Sequence, residues 1–368
     1  MTISNILSHL EEWAPPAYQE NYDNAGLLTG NQHWECTGVI CTLDCTEVIV
    51  AEAIRNQCNL IVAHHPIIFK GLKKITPSSY VERTIIQAIK NDIAIYAIHT
   101  NLDAVLYGVN AAIAQQLGLL PQSLRMLAPK ANQLAKLYTY VPIADADMVR
   151  NALFAAGAGQ IGLYEQCSFN TTGTGTFKPK PNSNPTIGKA GGSLEWVNEE
   201  KVEVIFPIYL LKKVIDALKK AHPYEEVAYE VILLENAYQE VGTGMIGELP
   251  DAMDEMELLA IIQKKFNLSV IKHTPFLHKK IKTIAFCGGA GSSLIGTAIA
   301  QNADLYLTSD IKYHEFFDAD GRLLLVDIGH WESEQFTIDL LANFLIEKFP
   351  TFAVLKTREN TNPVHYFV

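Results

Sequence analysis

Two adjacent histidines, His64 and His65, stand at the end of the apolar run Leu60-Ile61-Val62-Ala63 and directly before Pro66. A short apolar run of this kind reads as a buried strand, whose successive side chains point to opposite faces. Neighbouring histidines therefore cannot both fill the core on one side. At a strand end, where the chain turns, both imidazoles can reach into a crevice, and neutral imidazole is the commonest metal ligand among side chains. A pair of solvated turn histidines is the alternative. Two more pairs share a second feature. His99 and Asp103 follow the apolar run Ile93 to Ile98, and His330 and Glu334 follow Leu323 to Ile328. The i, i+4 spacing puts each pair on one face of a helix that begins there. Taken singly, each pair reads as a surface ion pair or a cap.

The candidate metal ligands are His64, His65, Asp103, His330 and Glu334. Three imidazoles and two carboxylates suit zinc, iron or manganese, and do not suit calcium or magnesium, which prefer oxygen. A carboxylate can bridge, so five side chains can serve two ions if one acid is shared. Two ions roughly 3.5–4 Å apart can share a hydroxide and clamp a displacement reaction. No side chain is assigned as the catalytic group. His99 and His314 stand as possible supports that orient a ligand or shuttle a proton, with a structural histidine as the alternative for each. Lys70 and Lys73 read as solvated, although either could meet a phosphate. Gly288 to Ser293 could cradle an anion where a strand meets a helix. It is not a dinucleotide fingerprint, because Leu294 occupies the third glycine place.

The elements that position these residues are strands alternating with helices. Strands are expected over Gly38–Asp44, Leu60–Ala63 and Ile93–Ile98, with helices at Glu47–Asn56, within Thr76–Lys90 and at Val109–Leu117. The same alternation returns in the last third. There, strands Ile281–Cys287, Asp304–Thr308 and Leu323–Ile328 lead to a helix at Phe336–Phe349 and a strand at Phe352–Lys356. Near-continuous apolar strands between helices indicate a mostly parallel sheet covered on both faces. In such sheets the functional crevice lies beyond the carboxyl ends of the strands. Asp44, the two histidine–carboxylate pairs and His64-His65 all fall at such ends. Convergence of this kind weakens the reading of each pair as an isolated surface feature. Two related α/β halves therefore form one lobe.

Between the halves the character changes. Strand, helix, strand, strand, helix, strand is expected from Lys136 to Ile232, the split βαβ order of ferredoxin-like α+β domains. The inserted domain spans 131–236, leaving 1–130 and 237–368 as one discontinuous α/β domain. The Thr-, Gly-, Pro- and Lys-rich stretch from Asn170 to Gly192 reads as a long exposed excursion, and Val241-Gly242-Thr243-Gly244 as a turn.

Composition bounds the function. The chain has 368 residues, 48% of them hydrophobic, and a formal net charge of −11. An acidic balance argues against a general nucleic-acid or membrane-surface binder, both of which need clustered Lys and Arg. The six cysteines show no CxxC pair and no framework spacing, so reduced thiols in a cytoplasmic protein are expected. No signal peptide, transit peptide or membrane-length apolar run is found.

Several motifs together carry a resemblance. Ala63-His64-His65-Pro66 followed by Phe69-Lys70-Gly71-Leu72-Lys73 is one. The others are the run His99-Thr100-Asn101-Leu102-Asp103-Ala104, the Gly329-His330 to Glu334 cluster, and Asp23-Asn24-Ala25-Gly26-Leu27. The chain resembles the family of GTP cyclohydrolase 1 type 2 homologs, also called Nif-three-like dinuclear metal-centre proteins, over both outer thirds. The resemblance implies a Nif-three-like lobe and a dinuclear site, with two divalent metal ions (zinc, iron or manganese) held by His64, His65, Asp103, His330 and a bridging Glu334. It also implies a ring-shaped homohexamer with the sites facing an internal cavity. The insert, through His222-Pro223-Tyr224-Glu225-Glu226-Val227-Ala228-Tyr229, is similar to the PII/CutA-like domain of the longer members. Tyr22 replaces the Trp of many members, and Ser309-Asp310 replaces a Gly-Glu pair, so no role carries over to Asp310. The function expected is that of a cytoplasmic metal-dependent hydrolase, with a metal-bound water attacking a nucleotide-like or heterocyclic small molecule. A non-catalytic metal-binding regulatory or structural assembly is the alternative.

Overall fold

The computed structural model describes residues 1–367. The chain divides into two compact units. One joins Met1–Pro129 with Gln239–Val368, and the other is Lys130–Tyr238.

The first unit begins with α1 (Ile3–Trp13), whose Ile3, Ile6, Leu7 and Leu10 recur at helical spacing and are buried. There follow β1 (Gly26–Thr29), β2 (Val39–Thr42), α2 (Glu47–Arg55), β3 (Leu60–Ala63), α3 (Tyr80–Lys90), β4 (Ala94–Ala97), the short α4 (Thr100–Ala104), α5 (Val109–Leu117) and β5 (Arg125–Lys130). Every residue of β2, β3 and β4 is buried, which is why these strands read as unbroken apolar runs rather than alternating ones.

The second unit holds β6 (Leu134–Pro142), α6 (Ala146–Ala155), β7 (Phe169–Phe177), β8 (Glu195–Pro207), α7 (Leu211–Ala221) and β9 (Tyr229–Leu234). Its sheet runs β7-β8-β6-β9, antiparallel throughout. Alternate residues Ala135, Leu137 and Val141 of β6 and Val202, Val204 and Phe206 of β8 form a core with Val149 and Leu153 of α6 and Val214 and Leu218 of α7. The helices thus cover one face of the sheet. The expectation of a loop from Asn170 needs correction. Phe169 to Phe177 is a strand paired residue by residue with Glu203 to Glu195. It sits at the sheet edge with mostly exposed side chains, so backbone pairing holds it and no apolar period marks it.

The chain then returns with β10 (Tyr238–Asp254), α8 (Glu255–Lys265), β11 (Lys272–His273), β12 (Lys280–Ala290), α9 (Ile295–Ala300), β13 (Leu305–Ser309), β14 (Leu324–Asp327), α10 (His330–Glu334), α11 (Thr337–Lys348) and β15 (Val354–Lys356). Val241 to Gly244, expected as a turn, lies inside β10. A Cβ at Gly242 would lie 2.6 Å from the Ala128 carbonyl oxygen, so this glycine serves a close backbone approach rather than a reversal.

Two sheets result, ordered β1-β4-β3-β2-β15 and β11-β14-β13-β12-β10-β5. In the first, β15, β2, β3 and β4 are parallel and β1 is antiparallel. In the second, β12, β13 and β14 are parallel, flanked by antiparallel β10 and β11. The sheets exchange edges: β15 from the end of the chain joins the N-terminal sheet, and β5 from the N-terminal part joins the other. Among the described residues no helix is long and apolar enough to cross a membrane.

Beyond β15 the chain is tied down by Glu52, a buried acid on α2. Its carboxylate accepts the Thr357 hydroxyl and, at 3.0 Å, the Arg358 backbone N–H. Glu52→Ala strands both donors. Stability then falls by about 1–3 kcal/mol, and hydrogen–deuterium exchange accelerates at 357–362 while the Lys130–Tyr238 unit is unaffected.

Candidate metal centre

The parallel strands of both sheets deliver the chemistry at their carboxyl ends. β3 ends in His64 and His65, β4 leads through His99 into α4 with Asp103, and β14 leads through Gly329 into α10, which carries His330 and Glu334 one turn apart. The structure brings all six of these side chains together. It does not bring His314 to them. That imidazole is exposed and lies against Tyr313 and Phe317.

Glu334 is at the centre and only 3% exposed. Its Oε2 lies 3.0 Å from His65 Nε2 and 3.2 Å from His330 Nε2, while its Oε1 lies 4.0 Å from His64 Nε2. His64 Nε2 is in turn 3.5 Å from Asp103 Oδ1. The groups His64/Asp103/Glu334 and His65/His330/Glu334 each present ligand atoms within 4.8 Å of one another and share Glu334 through different oxygens. His64 Nε2 and Asp103 Oδ1 are buried and have no hydrogen-bond partner among the described residues. Buried polar atoms are rarely left so, and two orphaned acceptors facing each other fit a cation. The donor set and these orphaned atoms together fit a divalent metal of the borderline class.

Each imidazole is oriented by a second contact through Nδ1. His64 Nδ1–H donates to the Ile98 carbonyl at 2.8 Å, His65 to Asp44 at 2.8 Å, and His330 to Asp310 at 2.7 Å. All three therefore aim Nε2 into the cluster, the arrangement usual for metal-binding histidines. His99 Nδ1–H donates to Asp23 at 2.8 Å, so its other nitrogen faces the His64 and His65 rings.

Electrostatics separate the members. Burial pushes His64 down to about 3, keeping it neutral. Burial alone would also lower His65, but its bonds to Asp44 and Glu334 hold it up at about 10. His330 is held at about 9, against burial, by Glu334 and Asp310. Asp103 is raised well above the carboxylate range by burial and by the Glu334 charge. Glu334 is kept ionised, against its burial, by the His330 and His65 hydrogen bonds.

Sequence reasoning missed Asp310 and gave Asp44 and Asp23 no partner. Asp44 carried a signal, an acid at a strand end. Asp310 carried the same signal just past β13, but its aim did not show: it adopts φ +56°, and that turn points it at His330. The Gly288–Ser293 segment is not an anion cradle. Strand β12 runs through Ala290, and a Cβ on Gly289, at φ +62°, would collide with Glu334 Oε1. The glycine makes room for the carboxylate, while its N–H donates to Ser333 Oγ at 2.9 Å. The cluster opens into a cavity of about 1540 Å³, walled by Phe69, Tyr80, Trp331 and Tyr366 and including Lys70 but not Lys73.

A mixed α/β unit whose strand ends converge on a cluster of histidines and carboxylates around the buried His64 and Glu334 defines a class of protein able to hold metal ions. Comparison with known proteins gives the family. The Duf34/NIF3 (NGG1p interacting factor 3) family model matches residues 1–363. A protein of Halalkalibacterium halodurans named GTP cyclohydrolase 1 type 2 homolog is 41% identical over 336 residues, covering 90% of this chain and 89% of the relative. The Bacillus subtilis protein of the same name is 39% identical, covering 89% and 87%. The crystal structure of a Bacillus cereus protein related to NIF3 superposes with a TM-score of 0.86 at 36% identity, covering 100% of this chain and 99% of that one. The chain belongs to the Duf34/NIF3 family.

Two predictions follow from this geometry. Gly289→Ala forces a left-handed alanine and displaces Glu334. Thermal unfolding of the metal-free protein then shows a loss of about 1–3 kcal/mol, and zinc affinity by dye competition falls about tenfold or more. Asp23, whose side chain is fully buried, is held down at about 2, against burial, by hydrogen bonds from His99 and Thr100. Its folded value lies below the unfolded one, so its contribution is present above about pH 4 and is lost as pH falls through 2. Asp23→Asn therefore lowers stability by about 2 kcal/mol at neutral pH, and urea titrations show the deficit closing between about pH 4 and 2.

Proposed function

We propose that the chain holds two divalent metal ions per subunit, one at His64, Asp103 and Glu334 and one at His65, His330 and Glu334, and that it is a metal-dependent hydrolase of small molecules. The observation that carries the reading is the Glu334 carboxylate, which turns one oxygen toward each group. Ions bound there supply Lewis-acid polarisation of a substrate oxygen and lower the pKa of water.

The chain's own residues do the rest. Asp44, Asp310 and the Ile98 carbonyl fix the three imidazoles, so the ligand atoms need no reorganisation when an ion enters. His64 would serve as a neutral ligand, whereas His65, His330 and Asp103 would each give up a proton to the solvent on binding an ion. His99, steadied by Asp23, presents a ring nitrogen beside His64 and His65 and is the group placed to hold or pass a proton during turnover. The aromatic wall of Phe69, Tyr80, Trp331 and Tyr366 suits a planar heterocycle, and Lys70 at the cavity suits a phosphate. A nucleotide-like or heterocyclic substrate is the class proposed. The relatives' name supplies GTP as one compound to try.

The inserted unit is proposed to be a ferredoxin-like domain of the PII/CutA kind. Its support is the β-α-β-β-α-β order folded into the antiparallel sheet β7-β8-β6-β9 with both helices packed on one face.

Elemental analysis of protein purified without chelator is expected to find two equivalents of zinc, iron or manganese per chain. Glu334→Gln, with unchanged circular dichroism, is expected to bind one or none. Hydrolysis of a panel of nucleotides, phosphoesters and cyclic amides should vanish on chelation and return with added metal. A single equivalent in the wild type overturns the two-ion reading. Two bound ions with no turnover overturn the hydrolase and leave a metal-binding assembly.

A further inference from the structure

The inserted unit contains a cavity of its own, of about 700 Å³, within the range of small-molecule sites. Its floor is the sheet face opposite the helices. Its roof is the segment following β7, pinned in place by two bonds: the Asn184 N–H donates to Glu225 Oε1 at 2.7 Å, and the Thr186 hydroxyl donates to the Pro223 carbonyl at 2.6 Å. The stretch that reads as an exposed excursion therefore encloses space.

One group in that space stands out. Glu199 on β8 lines the cavity yet is only 8% exposed. The Tyr224 hydroxyl donates to its Oε1 at 2.8 Å, and no Lys, Arg or His among the described residues forms an ion pair with it. The nearby cations are otherwise engaged or differently placed. Lys201 pairs with Glu203 at 2.8 Å and lies over the Tyr138 ring. Lys178 and Lys180 line the cavity from the roof, but they are exposed and neither forms an ion pair with Glu199. His222 is buried, receives the Tyr224 N–H on Nδ1 at 3.1 Å, donates through Nε2 to the Tyr140 carbonyl, and is pushed down by burial. It is therefore neutral. A carboxylate taken out of water without a counter-charge is costly. The backbone has been shaped around it nonetheless: any Cβ at Gly175 on β7 would collide with Glu199 Oε2. Aromatic side chains line the same cavity: Phe177 lies edge-on to Tyr224, and Tyr140 is part of the lining.

A buried acid with free lone pairs, flanked by aromatic faces, recognises a planar organic cation, which satisfies the charge through paired N–H donors and the rings through cation–π contact. We propose that the inserted unit binds a small organic cation of the amidinium or aromatic ammonium class in this cavity, with Glu199 as its counter-ion. The site is separate from the metal cluster and does not depend on what that cluster does.

Benzamidine is the probe, titrated calorimetrically into the full chain, with benzoate and benzyl alcohol as the anionic and neutral comparisons. Benzamidine is expected to bind with a dissociation constant of about 1 mM or tighter, and the other two at least about tenfold more weakly. Glu199→Gln weakens benzamidine about tenfold or more, while Tyr224→Phe, which removes the internal donor and leaves the carboxylate, retains binding. Glu334→Gln leaves it unchanged. A wild-type crystal soaked with benzamidine should show the amidinium on Glu199, a readout that stands even if the Glu199 variant fails to fold. No binding by the wild type, equal binding by the folded Glu199→Gln protein, preference for benzoate, or density only at the metal cluster each overturns the proposal.

Discussion

The first unit is built around a buried negative charge. Glu334, 3% exposed, sits where an isolated carboxylate would cost several kcal/mol. It is stable there only because His65 and His330 reach it from two different sheets. Those imidazoles are in turn held by Asp44 and Asp310, each placed just beyond the end of a parallel strand. One carboxylate therefore dictates the register of β3 against β2 and the turns that follow β13 and β14. A shift of one residue in β3 would exchange the faces of His64 and His65. His64 would then lose its bond to the Ile98 carbonyl, and His65 its bond to Asp44.

The same charge explains the glycines around it. Gly289 takes a left-handed conformation and has no side chain because Glu334 needs the space. Ser333 receives the Gly289 N–H and donates to the His330 carbonyl, which locks the first turn of α10 to the end of β12. α10 has only five residues and could not persist alone, since helices that short do not repay nucleation. Its stability comes from the contacts its acid and imidazole make.

Elements with a strong apolar period were legible in the sequence. β3 and the α5 helix coincide with the residues their patterns mark, and the helical i, i+4 spacing of His330 and Glu334 is realised in α10. The five side chains chosen for type and position at strand ends do stand within reach of one another. Information carried by backbone pairing and by turns was not legible. The Gly-Thr alternation of β7 has no apolar face because this edge strand is held by backbone pairing with β8 and its side chains are mostly exposed. Val241 to Gly244 looked like a turn because Gly242 admits the Ala128 and Pro129 backbone. Asp310 stands at a strand end like Asp44, but its pairing with His330 was not legible, since a left-handed turn, not a helix or strand period, aims it. The exchange of β15 and β5 between the sheets is a long-range pairing with no local signature.

That exchange bears on where the chain tolerates an insertion. β5 and β10 are neighbours in one sheet, with β5 at its edge, and the segment Lys130–Tyr238 leaves from one and returns to the other. Loop closure grows only with the logarithm of loop length, about 0.6 kcal/mol per doubling. A folded unit whose own ends lie close together adds even less, because it behaves as a short connection. The pairing of β10 with β12, which carries Gly288 and Gly289 to Glu334, therefore survives with a whole unit in the connection. The crossover from β3 to β4 differs in that it starts with His64 and His65 themselves, so chain added next to them would disturb the bonds of His64 to the Ile98 carbonyl and of His65 to Asp44. The connection between β5 and β10 carries none of the residues that meet Glu334, so added chain there leaves the buried charge undisturbed.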